Sequence, residues 1–107
     1  MARLHIVRGQ SKAITVTLKI GGVAQNTSGH TCELKVRKPG ETDLELDLAN
    51  ARFTQTSTTV KTVTLTKAET LALPLGDLEF QFRLVSGTDN VLHKIQILTV
   101  YPAIFEA

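Results

Sequence analysis

At 107 residues the chain has the size of one domain, long enough to bury a core without disulfide or metal staples. Hydrophobic residues make up 42%, which excludes a disordered segment, while aromatics make up only 5% with no tryptophan, which argues against stacking platforms for sugars or bases. Twelve basic and ten acidic residues leave a formal charge of +2, too balanced for the clustered basic surface that a nucleic-acid partner needs.

Nearly every segment alternates apolar and polar residues with a period of two, the mark of a half-buried strand. Met1 to Val7 holds no apolar run of signal-peptide length, and Leu4 to Val7 predicts a short first strand ended by Arg8-Gly9. Ala13 to Ile20 predicts a second strand, with Ile14, Val16, Leu18 and Ile20 in phase. Gly21-Gly22 supplies a hairpin turn and Val23 to Gln25 a short return strand. Thr31 to Arg37 follows, with Cys32, Leu34 and Val36 on the apolar phase, stopped by Lys38-Pro39-Gly40. Leu44, Leu46 and Leu48 alternate with Glu45 and Asp47. Asn50 to Thr54 is weaker, with Phe53 as its core contact, and the polar run Gln55 to Thr59 predicts a loop. Val60 to Thr66 predicts another strand.

Thr66-Lys67-Ala68-Glu69 is a capping box, so a short helical turn is expected near residues 67–73, limited by Pro74 and burying Ala68, Leu71 and Ala72. Leu78, Phe80, Phe82 and Leu84 then alternate with Glu79, Gln81 and Arg83. Ser86 to Asn90 closes a turn, and a last strand runs from about Val91 to Val100. In that strand Leu92, Ile95, Ile97, Leu98 and Val100 keep no single parity, which fits burial on both faces or a bulge. Seven or eight short antiparallel strands with regular turns predict an all-β fold, a single immunoglobulin-like β-sandwich domain over residues 1–107.

Catalytic and ligand signals are sparse. His5, His30 and His93 lie in three segments without metal-ligand spacing. No nucleophile elbow, P-loop or HExxH occurs, so no catalytic, cofactor-binding or metal-binding residue is assigned and the chain is not expected to be an enzyme. Glu41, Asp43, Glu45 and Asp47 are spaced to share one face, expected to be a solvated stripe that discourages edge pairing. Cys32 is expected to be a buried thiol. No stretch approaches the ~20 apolar residues of a bilayer span, so a soluble chain made in a cytoplasm, with no membrane partner, is expected.

Several motifs line up with one family. They are Arg8-Gly9 before an alternating strand, the Gly22 to Gly29 turn, Leu34 to Pro39, Val63 to Thr66, Glu69-Thr70 with Leu73-Pro74 and Gly76, and Asp77 to Leu84. Over about residues 8 to 100 the chain resembles the N-terminal immunoglobulin-like domain of phage baseplate upper proteins and related phage structural proteins. That resemblance implies a non-catalytic virion protein, present in several copies and binding other capsid, tail or baseplate proteins. The alternative is a carbohydrate-binding or host-surface adhesion module, which the scarcity of aromatics opposes.

The tail, residues 101–107, is the candidate interface. Pro102 ends ladder pairing, yet Tyr101, Ile104 and Phe105 place apolar bulk where chain ends are usually polar. Either the tail folds back on its own domain or it docks on a neighbouring subunit.

Overall fold

The computed structural model describes residues 3–87 and 89–104. The chain is mostly β, with strands β1 (Arg3–Val7), β2 (Lys12–Thr17), β3 (Lys19–Ile20), β4 (Val23–Ala24), β5 (Thr31–Arg37), β6 (Leu44–Leu48), β7 (Phe53–Ser57) and β8 (Val60–Leu65). Helix α1 (Lys67–Ala72) follows, then β9 (Gly76–Ser86), β10 (Asp89–Leu92) and β11 (Gln96–Tyr101). The larger sheet has the order β1-β11-β9-β5-β6, with β10 also paired to β9; the smaller has the order β2-β8-β7; β3 and β4 form a separate hairpin.

The apolar phases of both sheets meet in one core. Cys32, Leu34 and Val36 stand opposite Leu84, Phe82 and Phe80 in the β5–β9 register. Leu98 pairs with Leu78 and Leu4 with Leu98, which carries the same face outward to β1. From the smaller sheet, Ile14, Val16, Val63 and Leu65 are buried against that face, and Phe53 meets Phe82 edge-on at 6.1 Å between ring centroids. Leu34, Val36, Phe80 and Phe82 therefore share the core that their parity predicted. Cys32 is fully buried, and loss of solvent pushes its thiol up to about 11.

The helix starts as its sequence predicts. The Glu69 amide donates to Thr66 Oγ1 at 3.2 Å, and the Thr66 amide donates to Glu69 Oε1 at 2.8 Å. Its buried face differs from the expected one, because Ala68 and Ala72 are exposed and Leu71 is half-buried. Thr70 is buried instead, and Leu73 follows it into the core. The Thr70 hydroxyl donates to the carbonyl of Gln10 at 2.8 Å and accepts from the amide of Gly9 at 3.1 Å. Those bonds, and the Arg8 guanidinium on the Leu71 carbonyl at 2.8 Å, turn the polar side of the helix inward against the β1–β2 connection. A hydroxyl so satisfied stabilises more inside than an alanine methyl would.

The all-antiparallel expectation is corrected at one place. β1 runs parallel to β11, with Leu4 beside Leu98 and Val7 beside Tyr101. The reason lies in Arg8 to Ser11, which cross from one sheet to the other with Gly9 at φ 84°, so β1 cannot fold back on β2 as a hairpin. The strand count is also higher than expected. The predicted Ala13–Ile20 strand breaks at Leu18, where β3 and β4 project as a hairpin over Gly21 (φ 58°) and Gly22 (φ 82°), leaving Ile20 and Val23 exposed. The predicted last strand breaks into β10 and β11. Leu92 pairs with Arg83 and Gln96 with Phe80, so residues 93–95 stand opposite only 81 and 82. This is the bulge that the broken parity allowed, and the Gln81 amide satisfies its freed carbonyl at His93 at 2.8 Å. Finally, residues 55–57, expected in a loop, belong to β7, where pairing to β8 overrides their polarity.

Candidate functional site

Tyr101 ends β11 and Pro102 leaves the ladder, as expected. The Tyr101 ring is 46% exposed and stacks on His5 of β1 at 5.7 Å. Ile104 is 97% exposed, so at that point the tail covers nothing on its own domain. Phe105, the third predicted interface residue, lies outside the described residues. Val7, paired with Tyr101 at the end of β1, is 41% exposed and extends the apolar surface around the base of the tail.

A second feature was not predicted from sequence. A groove of about 350 Å³ opens between β2 and the larger sheet. Residues 12 to 17 of β2 form one wall, and Leu4, Phe80 and Phe82 contribute apolar surface from the other. His93, at the β10–β11 bulge, lines it too. Its Nε2 lies 3.3 Å from the Thr17 carbonyl, which only accepts, so Nε2 is the donor of that contact. Nδ1 is buried and has no partner among the described residues. The Phe82 ring, at 6.2 Å, holds the imidazole in place.

The two outer faces contrast. That of the larger sheet is laced with cross-strand ion pairs, Lys35–Asp47 at 3.2 Å, Arg37–Glu79 at 3.0 Å, and Arg83–Glu33. That of the smaller sheet is neutral: Thr15, Thr62 and Thr54 lie side by side across β2, β8 and β7, with Thr64 and Thr56 above and below. A face of neutral hydroxyls costs less to desolvate in a protein contact than one of charged side chains.

The expected acidic stripe is only half present. Glu45 and Asp47 lie on β6, whereas Glu41 and Asp43 lie in the turn before it, because the chain is still reversing after Pro39-Gly40. Among the described residues no three His, Cys, Asp or Glu side chains gather as a metal would require. The three histidines lie apart: His5 against Tyr101, His30 in the turn before β5 with its amide on the Thr27 carbonyl at 2.9 Å, and His93 at the bulge. No helix among the described residues is long and apolar enough to cross a membrane. No family model and no curated protein matches the chain.

Proposed function

We propose that this chain is a phage virion structural protein, an immunoglobulin-like sandwich that acts as a non-catalytic assembly module. In this reading it binds other capsid, tail or baseplate proteins in several copies. The strand order supports the immunoglobulin-like part: a first strand parallel to the last, a β11-β9-β5-β6 sheet and a facing β2-β8-β7 sheet. The observation that carries the assembly part is Ile104, 97% exposed at the point where an apolar tail leaves the fold. A large aliphatic side chain held fully in water stabilises nothing in the isolated domain and gains about 1.5–3 kcal/mol when a partner covers it. The interface residues are then Tyr101, Ile104 and Phe105. The adhesion alternative draws little support, because Phe80 and Phe82 are buried and the Tyr101 ring already has His5 on one face.

The test is particle composition. Virions would be purified from cells producing the phage whose genome carries this chain, and their proteins quantified by mass spectrometry. Several copies per particle at a fixed ratio to the major capsid or baseplate protein are expected. Absence from purified particles would overturn the reading, and glycan-array binding by the free domain would then favour adhesion.

A further inference from the structure

The β2 groove and the apolar tail have complementary chemistry. Among the described residues β2 is the outermost strand of its sheet, paired to β8 on one side only. An unpaired strand edge is a template for another strand, and folded proteins usually protect it with charge, a bulge or proline. Two other edge strands among the described residues follow that rule directly. β6 carries Glu45 and Asp47 and is bulged opposite Val36 and Arg37; β7 shifts register between Gln55 and Ser57. β1 holds Arg3 and His5 in its sequence. After Lys12, β2 reads Ala-Ile-Thr-Val-Thr, with no charge, no proline and an unbroken register from Lys12 to Thr17.

We propose that the β2 edge receives the tail of a second copy of this chain, residues 102–107 adding as a strand in the groove. This inference rests on the assembly reading above and names the surface through which copies join. Side chains of an added strand alternate between the groove and the outer threonine face. Ala103, Phe105 and Ala107 form a wholly apolar phase, whereas Ile104 shares its phase with Glu106. The apolar phase turns inward, with Phe105 against Phe80 and Phe82, and places Ile104 beside the neutral threonines of the smaller sheet. Glu106 is the one charge on the segment and falls on the outer phase with Ile104, so the phase that enters the groove carries no charge. Strand addition of this kind draws affinity from main-chain hydrogen bonds and specificity from alternate side chains.

The experiment uses the pure chain alone, so that it fails or succeeds independently of incorporation into particles. Sedimentation velocity across a concentration series reads association, and hydrogen exchange with mass spectrometry reads β2. Association that strengthens with concentration is expected, together with slower exchange in residues 12–17 in the associated form. Phe105→Asp should weaken association at least about tenfold with unchanged melting temperature. A synthetic peptide of residues 101–107, added to the Phe105→Asp variant, should restore the slow exchange of 12–17. A chain that stays monomeric up to about 100 µM, well above the affinity of a functional contact, overturns the proposal. So does association that leaves exchange at 12–17 unchanged, or protection there that is independent of concentration, which would place the tail in its own groove. Virion incorporation in the face of any of these results would leave the assembly reading intact and remove only this mode of contact.

Discussion

Replacing Glu69 by glutamine tests how the helix start is held. Glu69 receives a two-pronged contact from Arg52, at 2.6 and 2.7 Å, and also accepts from the Thr66 amide. Arg52 comes from the 3-10 turn Asn50–Arg52 and donates at 2.9 Å to the Thr64 carbonyl, so one guanidinium ties that turn, the end of β8 and the helix together. The Arg52 guanidinium, with help from the Thr66 bonds, draws the Glu69 carboxyl down to about 2 from an ordinary 4.5. Counted in full, that difference is worth roughly 3 kcal/mol of folding free energy at neutral pH. The Arg52 side chain is 37% exposed, and solvent screening cuts the figure to about 1–2 kcal/mol. Because the folded value lies below the unfolded one, the contribution is complete above about pH 4.5 and is lost as pH falls toward 2. The chain has no tryptophan, so urea unfolding is best followed by far-UV circular dichroism. Wild type should exceed Glu69→Gln by about 1–2 kcal/mol at neutral pH, and the gap should close on acidification through that window. A gap that is absent at neutral pH, or that does not change with acidity, would refute the assignment of this stability to the charged pair.

Other substitutions probe the core and the tail. Phe82→Ala removes a ring that contacts Phe53, Phe80 and His93, and should cost about 3–5 kcal/mol by chemical denaturation; a loss below about 1 kcal/mol would mean the two sheets do not meet there. Thr70→Val keeps the shape but orphans the Gly9 amide and the Gln10 carbonyl, for an expected loss of about 1–3 kcal/mol. Cys32, buried and held at about 11, should resist a thiol reagent at mildly alkaline pH until the chain unfolds, which Ellman titration with and without urea would read. Deleting residues 102–107 should leave the melting temperature nearly unchanged while assembly or virion binding falls; unfolding on deletion would show that the tail belongs to the core.

The strands were legible wherever one face is buried. Leu78, Phe80, Phe82 and Leu84 keep their parity because β9 sits mid-sheet, with β5 and β11 on either side and the core beneath. The capping box was legible because its two bonds are local to Thr66 and Glu69. The helix face was not. Thr70 reads as a surface residue until Gly9 and Gln10, sixty positions away, are brought against it. The parallel pairing of β1 was hidden for the same reason, since a strand's parity is indifferent to the direction of its neighbour.

The groove was hidden at a deeper level. β2 reads Lys-Ala-Ile-Thr-Val-Thr and β8 reads Val-Lys-Thr-Val-Thr-Leu, almost the same composition with the same alternation. Yet among the described residues β8 is paired on both sides, while β2 is paired on one. Alternation reports which face of a strand is buried; it carries no information about which of its two edges is bonded, because backbone amides and carbonyls are the same in every residue but proline. Edge status becomes visible only through protective residues, and β6 announced itself through Glu45 and Asp47. An edge without such residues looks central in the sequence. In β2 the residues after Lys12 read like a central strand although the strand lies at an edge among the described residues, and it is this disagreement that motivates the strand-addition proposal.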